Sequence, residues 1–158
     1  MEPDWQPADP AFFFVEAPNH PDALMLWHYW QDKCAGRPMP DRADINIVDL
    51  AAIAPYLAIC ETVDDGTDFR LRLYGSELRQ MSGEERTGKL LSELGDVGNH
   101  AARWSLTHRL VFERQTPVFV VATDLRPGKS HVTVESVTLP LTHGGSAVGQ
   151  TIGGVFRV

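Results

Sequence analysis

The segment Phe69–Leu94 constrains the fold most, because its hydrophobic period changes from that of a strand to that of a helix within a few residues. Phe69, Leu71 and Leu73 alternate with arginines, which predicts a strand with one buried and one exposed face. A Gly-Ser pair ends that strand, and two short helices are predicted after it, the second over residues 89–94. A strand that leads directly into two short helices occurs in few small folds.

Hydrophobic periodicity and turn residues predict the other elements. Helices are expected from Pro21 to Gly36 and from about Val97 to Gln115. A hairpin is expected over residues 56–74, with a two-residue turn at Asp65-Gly66. Three more strands follow the long helix, and the second of them needs a bulge near Glu135-Ser136 to keep its apolar residues on one face. Strands and helices do not alternate, which argues against a parallel nucleotide-binding sheet.

Composition restricts the class of protein. The chain has 158 residues, of which 43% are hydrophobic, so we expect one domain with a substantial core. Its 14 basic and 21 acidic residues give a net charge of −7, which argues against a nucleic-acid partner because phosphate backbones require clustered cations. Cys34 and Cys60 lack the spacing of a metal site and are expected to be free thiols in a reducing compartment.

The N-terminal residues predict the location of the protein. They are acidic and rich in proline, without the basic start and apolar run of an export signal. The apolar run Phe12–Val15 is far shorter than a membrane span of about 20 residues. We therefore expect a cytoplasmic protein without a membrane span.

Four segments resemble the PAS domain family in their order and spacing. They are Trp27–Trp30, Arg37–Pro40 with Arg42–Ile45, Phe69–Gly75 and Thr87–Lys89. The resemblance is to small bacterial PAS proteins that stand alone. It implies an α+β fold in which a five-stranded antiparallel sheet has helices packed on one face and is preceded by an N-terminal aromatic helix. Residues 1–20 are then expected to be an extended arm, and residues 21–158 a PAS-like sensor domain.

The long helix predicts a ligand pocket. At about 100° per residue, its apolar stripe includes Trp104 and His108, whereas Arg103 is turned away. This stripe is expected to lie across the sheet and to enclose a mainly apolar pocket. The expected lining residues are Trp104, His108, Phe112, Tyr74 and Leu78.

Three roles are open for His108. It is a neutral core histidine with a hydrogen-bonded ring, a polar group that orients a ligand in the pocket, or an axial haem ligand. The haem role is implied by the resemblance, since some PAS sensors hold haem through a histidine on a helix over the sheet. No residue pattern predicts another cofactor or a metal site.

The first helix is apolar around most of its circumference, whereas a surface helix of a monomer normally has one apolar stripe. Leu26, Trp27 and Trp30 are therefore expected at an interface with a second copy of the chain. The resemblance agrees, because helices that precede the sheet commonly mediate dimers of PAS proteins. The alternative is a helix wedged between the arm and the sheet.

The expected function is that of a non-catalytic sensory or binding domain, because no catalytic sequence signature is present. It would recognise a small molecule or a partner protein and signal by association with a downstream protein, since no kinase, cyclase or DNA-binding segment is attached. Two alternatives stay open. One is an interaction adaptor without a ligand, with a filled core and an exposed aromatic helix; the other is a small acid–base enzyme of the steroid-isomerase-like cone type that uses His131 and Glu135.

Overall fold

Six strands and three α-helices make up the part of the chain that this computed structural model describes, namely residues 11–95, 100–123 and 132–158. The strands are β1 (Phe12–Val15), β2 (Leu57–Val63), β3 (Asp68–Tyr74), β4 (Val118–Thr123), β5 (Thr133–Thr142) and β6 (Val148–Arg157). The helices are α1 (Pro21–Cys34), α2 (Ser76–Ser82) and α3 (His100–Arg114). Residues 97–99 of the predicted long helix lie outside the described residues.

The strands form one sheet in the order β1-β4-β5-β6-β2-β3. Each neighbouring pair is antiparallel. The predicted α+β fold with an antiparallel sheet is therefore confirmed.

Helices cover both faces of this sheet. α1 packs on one face, in a cluster with Phe119 and Val137. α3 packs on the other face, in a cluster with Val118 and Val120. Side chains of successive strand residues point to opposite faces of the sheet, so alternate residues are buried under α1 and under α3.

The two covered faces explain why the predicted bulge near Glu135-Ser136 is absent. β5 pairs with β4 in continuous register from Thr133 to Thr138. Val134 packs in the cluster of α3, and Val137 packs in the cluster of α1. The prediction was wrong because it assumed that only one face of this strand is buried.

One of the two edge strands, β1, comes from the segment predicted to be an extended arm. Its residues pair antiparallel with residues 119–122 of β4. Phe12 is buried on the face of α3, whereas Phe13 and Val15, which point to the face of α1, are exposed. The sheet thus has six strands in the described residues rather than the five expected.

Two local predictions around β3 were wrong. The β2–β3 connection is not a two-residue turn: it runs through Asp64–Gly66, whose three residues all have positive φ. The helix predicted over residues 89–94 is reduced to a single 3₁₀ turn at Leu91–Glu93. Residues 88–90 instead run beside β3, where the amide of Leu71 donates to the carbonyl of Lys89 over 2.9 Å.

Candidate ligand site

A cavity of about 270 Å³ lies between the sheet and the helices α2 and α3. Tyr74 and Leu78, which lie on the two sides of the β3–α2 junction at Gly75, line part of it. A side chain at this glycine could not be accommodated, because a Cβ would lie 2.2 Å from the carbonyl oxygen of Pro55. Much of the cavity wall is apolar, and its apolar members include Leu78, Met81, Trp104, Val120, Val134 and Val155.

Three of the five predicted lining residues, Tyr74, Leu78 and Trp104, lie on the wall of this cavity. The rings of Tyr74 and Trp104 meet edge to face, with their centroids 6.2 Å apart. The Tyr74 hydroxyl donates to Ser82 Oγ over 2.8 Å, and burial raises the pKa of Tyr74. The site therefore offers a protonated phenol and an indole beside an apolar space, and ligand binding by these residues stays a prediction.

The other two predicted residues lie elsewhere. His108 lines a second cavity of about 20 Å³, which shares Leu78 and Trp104 with the larger one. Phe112 lines neither cavity. It packs over the β2–β3 turn, where a Cβ on Gly66 would lie 2.4 Å from the Phe112 ring.

His108 has the geometry of a neutral core histidine. Only 6% of the residue is exposed, its Nδ1–H donates to the carbonyl of Trp104 over 2.9 Å, and its ring packs against Phe69. Burial lowers the pKa of His108 to about 4. Haem does not fit beside the ring, because a cavity of about 20 Å³ is far below the roughly 300–1,000 Å³ of small-molecule sites.

Sequence reasoning missed two buried arginines on the wall of the larger cavity. Arg103 was predicted to turn away from the sheet, yet it is 8% exposed. Its guanidinium lies 5.6 Å from the ring centroid of Phe12, and its Nη1 donates to the carbonyl of Thr123 over 2.8 Å. The helical period of α3 carries no information about β1, so it could not predict that Phe12 of β1 lies against Arg103.

The second missed residue, Arg86, lies between α2 and the 3₁₀ turn and is 7% exposed. It follows two glutamates in a short polar stretch, which is typical of a solvated loop. Its Nε donates to the carboxylate of Glu84 over 2.9 Å. No sequence signal distinguishes this arginine from the exposed ones nearby.

Glu135, one half of the predicted acid–base pair, does not face the cavity. It is buried on the face of α1, where its two carboxylate oxygens accept the backbone amides of Asn19 (2.6 Å) and His20 (2.9 Å). The carboxylate thus holds the chain where it enters α1. His131, the other half of the pair, lies outside the described residues.

A family model described as a PAS domain matches residues 18–155, which is most of the chain. The chain belongs to the PAS domain family. This confirms the resemblance to the family, while its bacterial, stand-alone character stays a prediction. None of the curated protein sequences matches this PAS domain.

A solved structure described as an RNA-binding light-oxygen-voltage receptor is similar to this PAS domain, with a TM-score of 0.51. The two sequences are 16% identical, and the match covers 96% of this chain and 40% of that chain. At this identity the likeness supports the fold alone. The PAS domain thus spans less than half the length of that receptor chain.

The structure places the three residues predicted for a dimer interface in different surroundings. Leu26 is fully buried, and Trp30 is 6% exposed with its indole N–H donating to the carbonyl of Pro140 over 2.8 Å. Both belong to the core between α1 and the sheet, which corrects their assignment to an interface. Trp27 is half-buried and meets the ring of Phe119 edge-on.

The described residues contain no helix that is long and apolar enough to cross a bilayer. In the same residues, no group of three or more histidine, cysteine, aspartate or glutamate side chains could hold a metal ion.

Proposed function

We propose that this PAS domain is a non-catalytic sensor that binds a small molecule in the cavity between α2, α3 and the sheet. The cavity itself carries the proposal. At about 270 Å³ it is close to the roughly 300 Å³ lower end of small-molecule sites, and it combines apolar walls with a few polar groups. Because close-packed protein interiors leave few voids larger than a water molecule, a cavity of this size supports a binding site rather than a filled core.

The interaction adaptor is less well supported. It predicts a filled core and an exposed aromatic helix, whereas a cavity lies beside α3 and two of the aromatic helix's large side chains, Leu26 and Trp30, are buried. The acid–base enzyme is also less well supported, because Glu135 is engaged at the start of α1 on the opposite face.

Native mass spectrometry of the purified PAS domain tests ligand binding. We expect a small molecule to co-purify with the wild-type protein and to be lost in Ser136→Phe, which places a ring in the cavity. Val48→Phe is the matched control, because Val48 is 77% exposed and does not line the cavity. Equal ligand content in the two variants would contradict this site.

We further propose that the PAS domain signals as a homodimer through an apolar surface beside α1. This surface, called the edge patch, consists of Phe13, Val15, Val121 and Trp27. Phe13 is 56% and Val15 36% exposed, and their strand register places both on the face of α1. Exposed neighbouring apolar side chains are typical of protein interaction sites.

Sedimentation equilibrium tests the homodimer. We expect the 17.5 kDa chain to sediment with twice its mass, and Phe13→Asp to halve that mass. Val48→Asp is the control, since Val48 is exposed outside the edge patch. A wild-type monomer would refute the homodimer and leave a different downstream protein as the partner of the edge patch.

A further inference from the structure

A buried guanidinium with unused donors lies on the cavity wall. Arg86 forms one hydrogen bond with the described residues, from Nε to Glu84. No described group accepts a hydrogen bond from its two terminal nitrogens, although the residue is only 7% exposed. A guanidinium has five N–H donors, and Gln150 Oε1 is the one enclosed side-chain atom without a partner in the described residues, so the terminal nitrogens of Arg86 are open to the cavity, where a ligand can supply the acceptor.

The charge of the cavity wall indicates which charge the acceptor group of a ligand should carry. Arg86, Arg103 and Arg157 line the cavity, and none of the described lining residues is acidic. Glu84, which pairs with Arg86, has a side chain that is 42% exposed and is therefore partly solvated. The wall is positive in a chain whose net charge is −7, so the cavity favours an anion.

The shape of the site indicates which kind of anion fits. The terminal nitrogens of a guanidinium match the two oxygens of a carboxylate. Trp104, Leu78 and Val155 supply an apolar wall for the remainder of the ligand. The volume of about 270 Å³ restricts that remainder to a single small body rather than a large cofactor.

We propose that the cavity binds a small organic carboxylate, with its carboxylate on Arg86 and its apolar body against Trp104. This inference rests on the proposed ligand-binding function and adds the chemical class of the ligand. Arg103 contributes charge to the wall while its own contacts to Phe12 and Thr123 hold it in place.

Isothermal titration calorimetry with matched probes tests the inference. The probes are 2-naphthoate and octanoate, each paired with its neutral carboxamide, which has nearly the same shape. We expect each acid to bind about 10- to 100-fold more tightly than its amide, as charge-assisted hydrogen bonds to a buried guanidinium require. Equal affinity for acid and amide would overturn the inference and leave an apolar ligand site, so the proposed function would survive.

Variants locate the carboxylate. Arg86→Gln is expected to abolish the preference for the acid, whereas Arg79→Gln, whose residue pairs with Glu85 at the surface, should retain it. An undiminished preference in Arg86→Gln would overturn the role of Arg86. Should Arg86→Gln fail to fold, Glu84→Gln replaces it: loss of the neighbouring negative charge must increase the preference for the acid, and an unchanged preference refutes the assignment. Absence of binding by all four probes at about 1 mM would overturn the inference, whereas the proposed function is decided separately by the ligand content of Ser136→Phe and Val48→Phe.

Discussion

The buried His108 makes the stability of this domain depend on pH in a defined direction. Its pKa is about 4 in the folded protein and 6.5 in the unfolded chain. Between these two values the unfolded state binds more protons than the folded state, so the free energy of unfolding decreases as the pH falls. The contribution of His108 is complete above pH 6.5 and is lost progressively down to pH 4.

The size of this effect follows from the two pKa values. Linkage gives a loss of about 2 kcal/mol between pH 7 and pH 5, since each pKa unit corresponds to about 1.4 kcal/mol. The burial of His108 supports using the full difference between the two pKa values, because only 6% of the residue is exposed and its ring packs between Phe69 and Trp104. Asp41, whose pKa is lowered to about 2 by hydrogen bonds from Ala43, Gly144 and Thr142, acts mainly at lower pH.

Urea unfolding followed by tryptophan fluorescence at several pH values between 5 and 7 measures the slope. His108→Gln retains a donor for the Trp104 carbonyl but does not titrate. The free energy of unfolding that this variant loses between pH 7 and pH 5 should therefore be about 2 kcal/mol smaller than the loss in the wild type. His28→Gln, an exposed residue of α1, is the control and should keep the wild-type slope. If His108→Gln and the wild type lose the same free energy, the histidine is not buried in neutral form and the reasoning is refuted.

Two substitutions test the framework of the site by urea unfolding. Gly75→Ala places a Cβ 2.2 Å from the Pro55 carbonyl oxygen and should destabilise the domain by about 1–3 kcal/mol. Gly145→Ala is the control, because Gly145 lies in open space, and it should leave the free energy of unfolding nearly unchanged. Equal effects of the two substitutions would contradict the close approach at Gly75. Glu135→Gln removes the charge that accepts two backbone amides before α1 and should cost about 1–2 kcal/mol. Glu61→Gln breaks only an exposed ion pair and should change the free energy of unfolding by less than about 1 kcal/mol, so a larger loss there than at Glu135 would refute this account.

Individual strands and helices could be predicted because their signals are local. Alternation at Phe69, Leu71 and Leu73 specifies a strand regardless of its neighbours, and β3 is found at Asp68–Tyr74. The start of α1 at Pro21 likewise follows from a proline in the first turn. Such features depend on a few adjacent residues.

The errors arose where a residue's surroundings come from distant parts of the chain. Phe12 pairs with Ala122, and no property of a four-residue apolar run specifies that register. Arg103 was assigned to solvent because helical periodicity describes one helix and not the strand that packs against it. Leu26 and Trp30 were assigned to an interface because the apolar circumference of α1 does not show whether the cover comes from the same chain.

β1 has a consequence for how this domain can be shortened. Phe12 forms part of the cavity wall, and the backbone of β1 occupies the hydrogen-bonding edge of β4. A truncation at residue 18, where the family match begins, would therefore open the cavity and expose a row of unpaired amides and carbonyls on β4. Such a truncated protein would lose its ligand and aggregate edge to edge for the same reason, namely the loss of the four residues of β1, which the family match does not include.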